Sequence, residues 1–189
     1  AMRAAHGPLD WWPGETRLEI CVGAILTQNT NWTNVEMAIS NLKQNRVLTL
    51  TALNELELDE LAELIRPAGY FNLKAKRLQS FTISVAAAGG LGKFFRPPTS
   101  ELRKTLLSIP GIGPETADSI LLYAAGRTKF VVDAYTGRMF RRHGLLAEGE
   151  TRYDVIQELC ESNLPADAGL FNDFHAQIVE IGKRFCKPK

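Results

Sequence analysis

Between Leu106 and Gly144 the chain reads LLSIPGIGPETADSILLYAAGRTKFVVDAYTGRMFRRHG, and this stretch limits the fold more than any other. Pro110, Gly111 and Gly113 sit where one helix must end and another begin within a few residues. Glycine takes positive φ at no steric cost, and proline suits a turn or the first helical position. Pro114 fits that first position, because a missing N–H costs nothing there. The pattern predicts a short helix, a glycine-rich hairpin and a second helix whose leading N–H groups have no bulky side chain in front of them. Such a row of donors favours phosphate, by hydrogen bonding and by the helix dipole. Taken alone, GxG is common and also fits a corner that only packs two helices.

Residues beyond the hairpin narrow the choice. The apolar run Phe130-Val131-Val132 ends in Asp133, and a helix carrying Arg138, Arg141 and Arg142 begins directly after it. An aspartate in that place is an N-cap, and a carboxylate at a helix N-terminus stays ionised and is held still. Arg127, Lys129, Arg138, Arg141 and Arg142 cluster around this single acid, although the net charge of the whole chain is only +1. A solvated basic face is the plain reading of such a cluster; beside a glycine hairpin, phosphate contact is the stronger one.

With these residues in hand, the sequence resembles the helix-hairpin-helix DNA glycosylases of the endonuclease III superfamily. The likeness rests on Ile109-Pro110-Gly111-Ile112-Gly113, Thr116-Ala117 and Val131-Val132-Asp133, and on the early run Ala24-Ile25-Leu26-Thr27-Gln28-Asn29-Thr30. It covers nearly the whole chain. The resemblance implies that the hairpin (Gly111, Ile112, Gly113 and Thr116) grips the DNA backbone, with Arg138 and Arg141 beside it. It further implies that Gln28 lies near the gap left by an extruded nucleotide. Asp133 would be the catalytic carboxylate, assisting cleavage of the N-glycosidic bond of a flipped-out base.

The rest of the chain is consistent with one DNA glycosylase domain of 189 residues, long enough to bury a proper core. Periodicity makes its fold class all-α; the resemblance implies two lobes with a cleft between them, one of central helices at about 28–125 and one from about 1–27 and 126–189. Leu18, Cys21, Val22, Ile25 and Leu26 recur at helical spacing within Thr16–Thr30, and Val35, Ala38, Ile39 and Leu42 do so after Trp32. Further helices are expected over residues 49–66, from Leu73 to Ala88 with Asn72 as N-cap, and from a Thr99 or Ser100 cap into the hairpin. The exposed side of the Leu73–Ala88 helix would offer Lys74, Lys76 and Arg77. Helices near 152–162 and 168–186 complete the chain; in the last, Leu170, Phe171, Phe174, Ile178 and Ile181 form the inner stripe. The absence of a signal peptide or membrane-length apolar run points to the cytoplasm.

The choice of chemistry turns on particular positions. In the lyase members of the family a lysine two residues after the second hairpin glycine forms a Schiff base. Here that position holds Glu115, which cannot form an imine, so the expectation is a monofunctional enzyme. Trp11, Trp12 and Pro13, together with Trp32 and the Glu115-Thr116-Ala117-Asp118 run, resemble the 3-methyladenine glycosylase branch. The resemblance implies a base pocket of Trp11 or Trp12 with Trp32, walled by Pro13 and bordered by Glu115. Aromatic faces favour the cationic ring of an alkylated purine. The plain alternative is that these aromatics fill the core. The expected partner is double-stranded DNA with an alkylated base, met by a monomer.

Two departures from the family pattern stand out. Cys21, Cys160 and Cys186 are too few for a disulfide framework or a four-thiolate iron–sulfur site. Cys186 falls where the first cluster ligand lies in endonuclease III relatives, so a 4Fe-4S cluster would need further cysteines past Lys189; no metal or cofactor is expected within these residues. The position aligned with the modified lysine of the methyladenine branch holds Gln177, and Lys183 lies further along. Two rival readings stay open: a glycosylase/lyase for oxidised or mismatched bases, and a non-catalytic DNA-binding module.

Overall fold

Helix succeeds helix throughout residues 2–9 and 12–187, which the computed structural model describes. They are α1 (Met2–His6), α2 (Arg17–Leu26), α3 (Trp32–Gln44), α4 (Leu50–Glu55), α5 (Leu58–Leu64), α6 (Phe71–Ala87) and α7 (Leu91–Phe94). After these come α8 (Thr99–Ser108), α9 (Pro114–Ser119), α10 (Ala134–Arg142), α11 (Tyr153–Asn163) and α12 (Ala168–Arg184). No strand occurs among the described residues, so the fold is all-α as the periodicity requires. None of these helices is long and apolar enough to cross a membrane.

The chain divides into two units, residues 14–120 and residues 1–13 with 121–189. In this division α2 lies with the central helices. The reason lies in its apolar stripe, since Val22, Ile25 and Leu26 are buried where α2 packs on α3, α6 and α9.

Within residues 14–120, caps and breaks come from identifiable bonds. Thr16, Asn31 and Thr49 accept from Glu19, Asn34 and Ala52 N–H groups and start α2, α3 and α4. The helix expected within 49–66 around Leu61 and Leu64 is α5, with Ile65 as its C-cap; α4 precedes it, and between them Leu56 turns extended and its carbonyl is taken by Gln79 Nε2 at 2.7 Å. Asn72 is not the cap of α6. That helix begins one residue earlier, behind Gly69 at φ 71 and Tyr70 at φ 47. Nor does Lys74 lie on its exposed side. It is 1% exposed, and its ammonium donates to Leu26 O at 2.8 Å and Ala68 O at 2.7 Å. One buried cation thus satisfies carbonyls at the ends of α2 and of the 3-10 turn Arg66–Ala68. Neither Thr99 nor Ser100 caps α8; Pro98 occupies that place without a side-chain bond.

The hairpin joins α8 to α9, and its angle is fixed by a pair the sequence did not advertise. Arg103 donates two hydrogen bonds to Asp118, at 2.7 and 2.9 Å, and Asp118 is 0% exposed. Breaking such a buried pair from one side costs about 3–5 kcal/mol. Beyond α9 the backbone widens into a π-helical turn, Ile120–Ala124.

The second unit packs α10 and α1 against α12. Its core holds Phe130, Phe140, Ile156, Cys160, Phe171 and Ile178, with Phe130 edge-on to Phe171 at 5.5 Å. Of the stripe expected on the last helix, Phe171 and Ile178 are buried, and Phe174 and Ile181 pack half-buried against that core. Leu170 is half-buried.

Candidate active site and nucleic-acid interface

At the hairpin, only Gly111 needs glycine for its backbone, with φ 86. Gly113 has an ordinary extended φ of −92, caps α9, and a Cβ built on it would meet nothing within 4 Å. Ile112 is buried and anchors the tip, and Ile112 N–H closes the turn onto Ile109 O at 3.0 Å. Gln28 braces the hairpin from the end of α2. Its amide nitrogen donates to Gly111 O at 3.0 Å and to Thr116 Oγ1 at 2.9 Å, while its oxygen accepts from Arg77 at 2.5 Å. The Arg77 side chain lies across Gly111, where a Cβ would collide with its Cγ and Cδ. Sequence reasoning placed Arg77 only on a solvated face; its role depends on a contact 34 residues away that no local pattern signals.

Glu115 stands exposed in the first turn of α9, where an acid complements the helix dipole. Trp32 opens α3, and its indole N–H donates to Glu36 Oε1 at 2.8 Å. Tyr70 is a further aromatic that the motifs did not single out. It is 70% exposed in a left-handed conformation that side chains rarely adopt.

In the other unit, Asp133 caps α10. Its Oδ1 accepts from Thr136 N at 2.7 Å and Thr136 Oγ1 at 2.9 Å. Its Oδ2 faces His175 Nε2 of α12 at 3.6 Å. His175 Nδ1 in turn meets Tyr123 OH at 2.6 Å, and the Trp12 ring stacks on Tyr123 with centroids 4.7 Å apart and planes 14° apart. Burial opposes ionisation of Asp133, but His175 and the Thr136 donors outweigh it and hold the carboxyl below its usual range. Val131 and Val132 are buried and lead the chain into this place, so the aspartate is fixed from both sides.

Trp12, Asp133, Tyr123 and His175 are thus brought together. Tyr123 and His175 were not foreseen; the only sequence signal was a histidine on an otherwise apolar helix face. Trp11 lies outside the described residues, and Pro13 is exposed. Gln177 is 1% exposed; its amide donates to Gly7 O at 2.7 Å, and its Oε1 is buried without a hydrogen bond. Together with Asp173, which accepts from Leu9 N–H at 3.2 Å, it ties the N-terminal arm to α12.

The basic cluster is divided by its partners. Arg138 donates to Cys186 O at 2.6 Å and lies over the Tyr135 ring, Arg142 donates to Cys186 Sγ at 3.0 Å and Lys187 O at 2.6 Å, and Lys129 pairs with Glu161 at 2.9 Å. Arg141 is exposed beside Gly137. In these contacts Arg138 and Arg142 secure the segment after α12.

No group of three or more ligating side chains stands together among the described residues, and the Cys186 thiol accepts from Arg142. Burial pushes the Cys21 thiol up and the Cys160 thiol up to about 12, so both stay protonated as packed side chains.

Comparison with known proteins gives a consistent picture. Residues 22–165 match the family described as HhH-GPD superfamily base excision DNA repair protein. A “Putative DNA repair glycosylase” of Methanocaldococcus jannaschii is 51% identical over 187 residues, covering 97% of this chain and 84% of the relative. Endonuclease III of Thermotoga maritima is 29% identical over 172 residues, covering 90% and 75%. Among solved structures, H. pylori 3-methyladenine DNA glycosylase bound to 1,N6-ethenoadenine superposes with a TM-score of 0.82 at 32% identity, covering 94% of this chain and 90% of that one. A trapped endonuclease III–DNA covalent intermediate gives 0.84 at 19% identity, covering 100% and 84%, a likeness of fold.

Proposed function

The chain belongs to the HhH-GPD superfamily of base excision DNA repair proteins, and on that premise we propose that this DNA glycosylase hydrolyses the N-glycosidic bond of alkylated purines, 3-methyladenine first, without a lyase step. It acts as a monomer on double-stranded DNA in the cytoplasm. The observation that carries the reading is the placement of Asp133, which caps α10 through Thr136 and turns its second oxygen to His175.

As the base leaves, positive charge builds on the sugar. A fixed carboxylate stabilises that charge with little reorganisation and can orient a water. Alkylation already weakens the bond, so one carboxylate suffices. No amine stands at Glu115 to divert the reaction into an imine. An iron–sulfur cluster, which would need ligands past Lys189, takes no part in the proposed step. Backbone grip is assigned to the hairpin, where the open space before Gly113 lets a phosphate approach the α9 N–H groups. The likeness to a 3-methyladenine glycosylase supports the choice of base, as does the Trp12–Tyr123 stack, an aromatic pair joined to Asp133 through His175.

Incubation with methylated DNA, with identification of the free bases, tests the proposal. Release of 3-methyladenine without a borohydride-trapped adduct is expected. Preferential release of an oxidised or deaminated pyrimidine overturns the substrate, a trapped adduct overturns the monofunctional assignment, and DNA binding without any base release overturns catalysis.

A further inference from the structure

We propose that His175 is a positioning residue for Asp133, held in its Nε2–H tautomer by Tyr123, so that the working carboxylate is the end of a Tyr123–His175–Asp133 chain. This rests on the role given to Asp133 above. The two oxygens of that side chain have different surroundings. Oδ1 is occupied by the Thr136 donors, whereas Oδ2 faces the imidazole 3.6 Å away on another helix. That distance is longer than a hydrogen bond, and catalytic contacts of this kind tighten when substrate arrives.

Chemistry sets the tautomer. A phenol near neutral pH carries its proton, and Tyr123 OH lies 2.6 Å from His175 Nδ1. If the phenol donates, the imidazole proton sits on Nε2 and points at the carboxylate. The opposite tautomer would set the Nε2 lone pair against Oδ2, two acceptors facing each other. His175 is 4% exposed, so water does not relieve that clash. Packing alone would ask only for the Tyr123 bond; the second nitrogen meets the one carboxylate that the reaction uses.

Among the described residues, the groups facing Asp133 include His175 from α12, Thr136 from its own helix and Tyr123 behind His175. Nearby, the Tyr153 hydroxyl of α11 is 3.4 Å from the Val132 N–H, and Arg138 is turned to Cys186 O. Removal of the imidazole leaves burial opposed by Thr136 alone, so the carboxyl should protonate at higher pH.

Two readouts test this in parent, His175→Gln, His175→Leu and Tyr123→Phe: single-turnover base release against pH, and carboxyl-carbon NMR titration of Asp133, which needs no substrate. His175→Leu should slow release about 10²-fold, the loss expected for a misplaced group, and move the acid limb and the NMR midpoint upward. His175→Gln, which keeps an N–H donor, should recover much of the rate, and Tyr123→Phe should fall between. An unmoved NMR midpoint in the Leu variant overturns the proposal, as does a Gln variant no better than Leu. Should Leu fail to fold, an unmoved midpoint and unchanged rate in Tyr123→Phe overturn it instead. If the parent releases no base yet the midpoint moves as stated, the glycosylase reading fails while the His175–Asp133 coupling stands.

Discussion

Asparagine caps helices as well as aspartate does, so Asp133→Asn is a clean probe of charge. The variant should fold normally, keep its affinity for duplex carrying an abasic-site analogue, and lose base release by about 10²–10³-fold, the scale of one preorganised electrostatic group. Because the parent carboxyl is held below its usual range, the rate is lost only as pH falls through that depressed value. An acid limb lying below that of an ordinary aspartate is expected; a limb at or above the ordinary aspartate range would contradict it. Tyr70 presents the opposite case of a residue kept at a local cost. A non-glycine residue at φ 47 carries about 1 kcal/mol of strain or more, and the side chain is largely in water. Tyr70→Gly should therefore raise the urea midpoint slightly while weakening duplex binding by about 1–3 kcal/mol, the value of one base–aromatic stack. Unchanged binding would mean that the ring does not meet DNA.

At the scale of elements, the ends of helices were less legible than their faces. The inner faces of α2 and α3 are set by spacing, since apolar side chains at helical period have one way to leave water. The break between α4 and α5, the start of α6 and the uncapped start of α8 depend on bonds from distant residues or on backbone geometry. Lys74 is the sharpest instance: a lysine in a basic run, buried because two helix-end carbonyls need a donor. Burial, with Arg77 adding to it, lowers its pKa from 10.5 to about 8. The charged form thus destabilises the folded chain below about pH 8, and stability recovers as pH rises toward 10.5. Urea unfolding of the parent should gain about 2 kcal/mol relative to Lys74→Met between about pH 7.5 and 10. Parallel pH profiles would show that this amine titrates as in water.

For the whole molecule, a net charge of +1 gives no general attraction to nucleic acid, so affinity must come from local contacts. Each phosphate neutralised contributes about −0.9 to the slope of log K against log salt. Arg141→Ala should flatten that slope by about this amount. Arg138→Ala should instead lower the melting temperature, because its guanidinium holds the Cys186 carbonyl and covers Tyr135. If the two variants exchange these effects, the division of the basic cluster is wrong.

The sequence by itself determined the all-helical architecture, the hairpin between α8 and α9, and the capping aspartate at the head of α10. Each depends on interactions within a few residues, namely apolar period, glycine and proline geometry, and a side chain bonding three positions on. Only the tertiary structure decided that Gln28 and Arg77 brace the hairpin, that Asp118 and Arg103 set its angle, and that Tyr123 and His175 stand behind Asp133. These pairs are joined by packing across long stretches of chain, and a buried polar group announces its partner only once both have been brought out of water.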